Sequence, residues 1–373
     1  EIAGETVFRL YDTYGFPEDL TADFARKRGL SVDSAGFDAA MQQQRERAKR
    51  ASRFGGSEDT GRLQSELYRL VAEHNFAQTQ FLGYTEHAAE SQVLALFASD
   101  GHATQTLAAG ESGAVLLDRT PFYAESGGQV GDTGGLLAAG ASFEVTDTRK
   151  FGNYFVHFGQ VASVQGEEAS PDAGSGLQAG LTVKGTIDRA RRAATVRNHS
   201  ATHLMHAALR QIIGDHVQQK GSLVAPDRLR FDFAHYEAMT AEELEAVENL
   251  VNEQVRLNAE AKTQELSYDD AIAAGALAFF GEKYGEKVRV LGIGDFSTEL
   301  CGGTHVSRAG DIGLFKITSE SGIAAGVRRI EAVTGERAVQ WVEADEDRLV
   351  QLMTGRDVGA NFPASELRRP GNE

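Results

Sequence analysis

Two histidines and the chain's only cysteine are spaced in a way that favours metal binding. His199 and His203 lie four residues apart in the segment NHSATH. Residues i and i+4 share one face of an α-helix, so both imidazoles can contact one ion. Cys301 precedes His305 by four residues in CGGTH, where the two glycines are expected to let the backbone turn sharply. The nitrogen and sulfur ligands of these four residues together are typical of Zn²⁺.

Three kinds of metal site could use such a set of residues. A zinc protease of the H-E-x-x-H type would carry glutamate after the first histidine, and Ser200 stands there instead. Two other kinds of site fit the four ligands. One is a closed structural zinc site, and the other is a zinc that orients a substrate or polarises a water. The sequence leaves these two open. His206 is set aside because seven helical residues separate it from His199 by about 10 Å.

Other polar groups surround this pattern in the sequence. Gln219, in the run QKGS, is either an ordinary surface amide or a hydrogen-bonding group in a pocket. A basic cluster crowds the expected start of the histidine-bearing helix, where the helix dipole disfavours cations, so an anionic partner such as phosphate or a nearby acidic patch is expected. The cluster consists of Arg189, Arg191, Arg192 and Arg197.

The sequence around these groups indicates the helices and strands that must position them, and together they predict an α+β multidomain fold. The first fifty-odd residues favour helices, and Ser52–Gly61 is turn-rich and predicts a linker. Short β-prone runs between positions 92 and 188 predict a small antiparallel β-barrel or sandwich. A long helix over 188–213 carries the H-x-x-x-H pair. We therefore expect a helical segment at 1–57, a linker and β-barrel at 58–188, an α+β unit at 189–340 and a tail at 341–373.

Finer signals mark the third unit. Residues 229–233 alternate like a strand, and Thr240 with Glu243 predicts a capping box. Leu244, Val247, Val251 and Val255 follow at helical spacing, which indicates a buried helix face. Strands are expected at 288–293 and 314–318.

Composition limits the class of protein. The 373 residues are 41% hydrophobic and 24% charged, as in ordinary globular chains. There are 37 basic and 54 acidic residues and a net charge of −17, so any contact with nucleic acid must use local basic patches. One cysteine cannot form an intrachain disulfide, which fits a reducing cytoplasm. The sequence contains no run of about 18 apolar residues, so no membrane helix is expected. Glu1 is expected to lie within a longer natural chain.

Eight separated runs resemble alanyl-tRNA synthetase. They are LYDTYGFPEDLTADFAR, TPFYAESGGQVGDTG, RNHSATHLMHAALRQ, QKGSLV, RFDF, GEKYGEKVRVL, DFSTELCGGTH and GDIGLFKI. The resemblance extends from the first residues to about Thr334, and it covers the end of that family's tRNA-recognition region and its editing domain. Free-standing alanyl-tRNA editing proteins share the histidine and cysteine pattern, but the run YDTYGF is similar to the full synthetase.

This resemblance implies roles for particular residues. The family's zinc ligands fall on His199, His203, Cys301 and His305. Gln219 matches a pocket glutamine, and Gln219 and Cys301 become the candidate catalytic residues. The loop near the editing pocket matches Ser126, Gly127, Gly128 and Gln129. Asp12 matches an acidic residue that reads a G·U wobble pair in the tRNA acceptor stem, with a helix cap as its simpler alternative.

The resemblance also implies a function. An editing fragment would hydrolyse Ser-tRNA(Ala) and Gly-tRNA(Ala) and spare Ala-tRNA(Ala), with Zn²⁺ as cofactor, in the cytoplasm. The full-length protein would ligate alanine to tRNA(Ala) using ATP, although no segment here resembles the ATP- and alanine-activating domain. The alternatives are a tRNA-binding module with a purely structural zinc, and a free-standing editing protein.

Overall fold

The computed structural model describes residues 57–162, 176–277 and 287–344, together with scattered residues between positions 2 and 37. Most of the predicted helical segment 1–57, including Asp12, lies outside the described residues. The same is true of residues 345–373 of the predicted tail.

Helix α1 spans Ser57–His74. The predicted linker Ser52–Gly61 is therefore wrong over its last five residues, because the helix already includes them. Leu63 and Leu67 are fully buried at helical spacing in a cluster with residues of the barrel strands. Burial of this apolar stripe stabilises the first turn despite its turn-forming composition.

Eleven strands follow in the described ranges 80–162 and 176–187, and six of them close into a barrel. Hydrogen bonding runs in the order β2-β5-β9-β8-β7-β11, and β11 pairs again with β2. Every pairing in this ring is antiparallel, so the predicted small antiparallel barrel is confirmed. The strands are β1 (Gln80–Phe81), β2 (Ala88–Ala98), β3 (Ala103–Thr104), β4 (Thr106–Ala108), β5 (Ser112–Leu117), β6 (Arg119–Thr120), β7 (Gly134–Ala138), β8 (Ala141–Phe151), β9 (Tyr154–Ala162), β10 (Gly176–Gln178) and β11 (Thr182–Ile187).

The rest of the described chain mixes helices with two antiparallel sheets. One sheet has the order β12-β13-β18-β17 and the other the order β14-β15-β16. The elements are α2 (Arg189–Ile213), β12 (Gln219–Val224), β13 (Leu229–Ala234), α3 (Ala241–Leu257), β14 (Ala261–Ser267), α4 (Tyr268–Ala273), β15 (Lys287–Ile293), β16 (Ser297–Leu300), a 3₁₀ turn (Ala309–Ile312), β17 (Phe315–Ala324) and β18 (Val327–Thr334). The α+β character is confirmed.

Local sequence explains where helices α2 and α3 begin. Asp188 caps α2, its carboxylate accepting from the backbone N–H of Arg191 at 3.0 Å, and Gly214 follows the last turn. The predicted capping box of Thr240 and Glu243 starts α3. Val247, Val251 and Val255 turn toward the core that α3 shares with α2 and the four-stranded sheet, as predicted. Among the described residues, no helix is both long and apolar enough to cross a membrane.

Candidate metal centre and adjoining cavities

The four predicted metal-binding side chains converge. One ligand atom from each of His199, His203, Cys301 and His305 lies within 4.8 Å of the others. The Cys301 Sγ atom is 3.5 Å from Nε2 of His199 and 3.2 Å from Nε2 of His305. Helix α2 supplies the first two residues and the loop after β16 supplies the other two. This arrangement could hold a metal ion.

Partners behind the histidines fix which nitrogen faces the centre. Nδ1 of His199 donates to Gln129 Oε1 at 2.8 Å, and Nδ1 of His203 donates to Glu299 Oε2 at 2.5 Å. Nδ1 of His305 lies 3.3 Å from the Ser200 hydroxyl. These contacts leave the three Nε2 atoms as possible ligands, and such outer partners orient metal-binding histidines. The buried Nε2 of His203 has no hydrogen-bond partner within the described part of the chain, as a metal-ligand atom would.

The electrostatics also suit a cation. Burial raises the pKa of the Cys301 thiol, but His199, His305 and His203 outweigh burial and hold this pKa well below its ordinary value. Burial lowers the pKa of His305 to about 3, so this imidazole is neutral. Burial also lowers the pKa of His203, but the Glu299 carboxylate and the Cys301 thiolate raise it to about 10. Transition metals bind thiolates and neutral imidazoles, so Cys301 and His305 are already in the ligand form, whereas His203 must first lose a proton.

The two glycines of the C-G-G-T-H loop have different roles. Neither Gly302 nor Gly303 is among the residues with positive φ. The backbone conformation at these two positions therefore does not by itself demand glycine, contrary to the expected sharp turn. A Cβ atom on Gly303 would collide with the imidazole ring of His199, whereas one on Gly302 would meet nothing within 4 Å. Gly303 is needed because the loop backbone passes close to the metal-facing histidine.

An aromatic–cation pair fastens the same loop. The guanidinium of Arg289 lies 4.1 Å from the ring centroid of Tyr84. Arg289 Nη1 donates to the carbonyls of Cys301 and Gly303 at 3.2 and 2.7 Å, and the Tyr84 hydroxyl donates to that of Gly302 at 2.7 Å. Three successive carbonyls are therefore held by one stacked pair.

A cavity of about 390 Å³ opens beside the four ligands, and we call it the metal cavity. Gln219 lies in its wall at the start of β12, and its side-chain amide has no hydrogen-bond partner among the described residues. Barrel residues form another wall, including Phe81, Tyr123 and Phe155. The metal cavity thus combines a polar amide, aromatic surface and the candidate metal centre.

The predicted pocket loop divides into two parts. Ser126 and Gly127 line the metal cavity, whereas Gly128 and Gln129 lie behind its wall. Gly128 packs against Ser222 with φ of 85°. Gln129 is fully buried, and its carbonyl oxygen also accepts from the backbone N–H of Thr304 at 3.0 Å. Gln129 therefore orients His199 and the ligand loop.

The four arginines that were predicted to contact an anionic partner occupy different environments. Arg192 is buried and forms an ion pair with Asp132, and it donates to the carbonyls of Gly83 and Pro121. These bonds occupy its guanidinium, so the expectation that Arg192 contacts phosphate is corrected to an internal role. Arg189 and Arg197 line a second cavity. Arg191 does not line it.

One carboxylate of the site was not identified from the sequence. Glu299 is buried between His203 and His206, with Oε1 2.9 Å from Nδ1 of His206. His206 is therefore part of the support for the centre, although it was rightly left out of the ligand set. The signal available in the sequence was the acidic residue in the short strand Ser297–Leu300, just before Cys301.

Two family models match parts of this chain. A family model described as tRNA synthetases class II (A) matches residues 1–191, just over half of the chain. A second, described as the threonyl and alanyl tRNA synthetase second additional domain, matches residues 288–331, which include Glu299 and Cys301.

Two curated relatives are alanine–tRNA ligases. The protein from Halorhodospira halophila and the protein from Stenotrophomonas maltophilia are each 54% identical over 351 residues. The match covers 94% of this chain and 38% of each relative, so the chain spans about two fifths of their length. The chain therefore belongs to the family of class II (A) tRNA synthetases, and its relatives include alanine–tRNA ligases.

Proposed function

We propose that this chain hydrolyses the ester bond of tRNA(Ala) mischarged with serine or glycine and spares Ala-tRNA(Ala). The observation that carries the proposal is the cluster of three imidazoles and one thiolate in the wall of a cavity that also presents Gln219. The relatives named as alanine–tRNA ligases supply the substrate class. Ligation of alanine to tRNA(Ala) with ATP would belong to a longer protein of which this chain is part.

The need for such a site follows from the limits of binding selectivity. A pocket built for alanine cannot strongly exclude glycine, which is smaller, and rejects serine weakly because serine only adds a hydroxyl. Differences of this size are worth roughly 1–3 kcal/mol, too little for accurate translation. A second site must therefore remove the wrong products.

Gln219 is the candidate for recognising serine. Its unbonded amide in the metal cavity can pair with the serine hydroxyl. Binding of alanine would leave this polar group unpaired, which is costly in a desolvated site. Glycine also lacks the hydroxyl, so its hydrolysis should not depend on Gln219.

We infer that the metal is Zn²⁺, held by His199, His203, Cys301 and His305. When bound, zinc would supply a Lewis acid that orients the terminal ribose and ester or polarises a water. Gln129, Glu299 and Ser200 hold the three imidazoles in the ligand orientation. Glu299 is placed to support His203 and His206 rather than to act as a base, because both of its oxygens face those rings.

A deacylation assay with Ser-, Gly- and Ala-tRNA(Ala) tests the proposal. We expect hydrolysis of the first two, loss of this activity with chelator or in Cys301→Ala, and loss of zinc in the same variant. Gln219→Ala should slow release of serine at least tenfold and leave release of glycine unchanged. Gln178→Ala, at an exposed glutamine on β10, is the matched control. Retained zinc and tRNA binding with no hydrolysis would instead support a binding module with a structural metal.

A further inference from the structure

A second cavity, of about 500 Å³, lies next to the metal cavity. One wall is a single face of α2, made by residues 189, 192, 193, 196 and 197, which follow the helical repeat. The opposite wall includes Thr263 of β14, Arg289 of β15 and the loop around His305. We call this the arginine cavity.

The arginine cavity is strongly basic, although the whole chain carries −17. Arg189, Arg197 and Arg289 line it, together with the internally paired Arg192. Asp311 is the one carboxylate among the described lining residues. Since Arg192 is neutralised by Asp132, three guanidinium groups face a single acid.

Two of these arginines have no partner within the part of the chain that the structure describes. Among the described residues, neither Arg189 nor Arg197 has an acidic or hydrogen-bonding partner, and Nε of Arg197 is buried without one. A buried, unpaired donor on a charged group is costly unless a ligand satisfies it. Arg189 also occupies the first turn of α2, where the helix dipole disfavours a cation and favours an anion. Both facts call for an external anion.

The two cavities share one wall. Tyr84 and Arg289 line both, and the same pair holds the carbonyls of residues 301–303. An RNA strand whose terminal nucleotide entered the metal cavity would therefore carry its neighbouring backbone past Tyr84 toward the arginine cavity. A phosphodiester is the anion that such a strand brings.

We propose that the arginine cavity binds a backbone phosphate of the RNA strand whose 3′ end occupies the metal cavity, with Arg189 and Arg197 as the contacts. Guanidinium groups suit phosphate because their planar donors can form paired hydrogen bonds. This inference rests on the proposed function for the identity of the RNA, but binding can be measured without hydrolysis. Its failure is therefore distinguishable from the failure of the deacylase proposal.

Binding of an uncharged RNA hairpin with a single-stranded 3′ CCA end tests the inference. Anisotropy titrations of the full chain are made over a range of salt concentrations. Arg189→Gln and Arg197→Gln should each weaken binding about tenfold and reduce the salt slope by about 0.7, the value for one single-strand phosphate contact. Arg69→Gln, at an exposed arginine on α1, should bind as the parent chain does.

Two further arms address packing and the source of the phosphate. Arg197→Lys keeps the charge and should retain more RNA affinity than Arg197→Gln. Unchanged affinity and salt slope in both glutamine variants would overturn the proposal. A loss that spares Arg189→Gln but is equal in Arg197→Gln and Arg197→Lys would also overturn it, because packing would then explain the effect. If the variants lose binding of inorganic phosphate but keep RNA affinity, the cavity serves a free phosphate and the assignment to RNA is wrong.

Discussion

At the scale of single residues, Gly302 and Gly303 form a matched pair beside the metal centre. A Cβ at position 303 would overlap the His199 ring, and one at 302 would enter open space. We expect Gly303→Ala to lower zinc affinity at least tenfold, because the ligand loop or His199 must move. Gly302→Ala should leave affinity unchanged. Competition with a chromophoric chelator measures both, and equal affinities for the two variants would contradict the close-approach argument.

The protonation of His203 predicts how metal binding depends on pH. In the metal-free protein the pKa of His203 is raised to about 10, so its Nε2 carries a proton at pH 8 that must leave before a metal binds. Cys301 contributes no such proton because its pKa is already well below the ordinary range. Zinc affinity should therefore rise about tenfold per pH unit between pH 7.5 and 9, with one proton released per ion.

Calorimetry in buffers of different ionisation enthalpy counts that proton. Glu299→Gln removes the carboxylate that raises the pKa of His203, so proton release at pH 8 should fall. Zinc affinity should also fall 10- to 100-fold, as is typical when such an outer partner is lost. Glu253→Gln, at an exposed residue of α3, should change neither quantity. A pH-independent affinity in the parent chain would disprove the protonation scheme.

At the scale of elements, the barrel contains a buried acid-sensitive group. His157 on β9 is fully buried, donates from Nδ1 to the Val115 carbonyl at 3.1 Å, and accepts at Nε2 from the Thr120 hydroxyl at 2.8 Å. Burial lowers its pKa to about 4. In the unfolded chain this residue binds a proton below about pH 6.5, whereas in the folded chain it does so only near pH 4. Stability present above pH 6.5 is therefore lost as the pH falls toward 4.

His157→Gln tests this acid sensitivity, because glutamine can still bond Thr120 but does not titrate. We expect the drop in unfolding free energy between pH 7.5 and 4.5 to be smaller in this variant than in the parent by about 2.5 kcal/mol. His102→Gln, at an exposed histidine, should preserve the parent's drop. Urea unfolding followed by circular dichroism gives the values. An identical pH dependence in His157→Gln and the parent would rule out this role.

Elements with strong local signals could be predicted from the sequence. The α2 helix, the capping box of α3 and the β-prone runs of the barrel each follow from residues close in the chain. The beginning of α1 at Ser57 could not, because a stretch rich in glycine and polar residues became helical through burial of Leu63 and Leu67 against the barrel. Long-range packing outweighed local propensity there.

In the candidate site, too, the features with a local sequence signal could be predicted and those that depend on long-range packing could not. The convergence of the four candidate ligand side chains could be predicted because two i, i+4 pairs of metal-binding residue types are chemically specific. Their supports were not, since Gln129 approaches His199 from the barrel, 70 residues away, and Glu299 reaches His203 across 96 residues. Nothing in the spacing of a lone glutamine or glutamate indicates which histidine it will face.

At the scale of the whole molecule, the barrel and α2 are joined by a buried ion pair. Asp132, in the connection between β6 and β7, accepts from Arg192 Nε at 3.0 Å with both oxygens, and Oδ2 also accepts from the backbone N–H of Tyr123 at 2.7 Å. The metal centre spans the same junction, because His199 is on α2 and its partner Gln129 belongs to the barrel side. Loss of this ion pair should therefore affect stability and metal binding together.

Arg192→Met and the double variant Arg192→Met with Asp132→Asn test that coupling. Removing only the arginine leaves a buried carboxylate uncompensated, which costs about 3–5 kcal/mol. It also removes the donors to the carbonyls of Gly83 and Pro121. The double variant should be less destabilised, because neutralising Asp132 removes the unpaired charge. Arg119→Met breaks a half-exposed pair with Asp118 and should cost less than about 1 kcal/mol. Urea unfolding and zinc content are measured on each chain. If Arg192→Met were no less stable than Arg119→Met and kept its zinc, the ion pair could not be what fixes the histidine helix against the barrel.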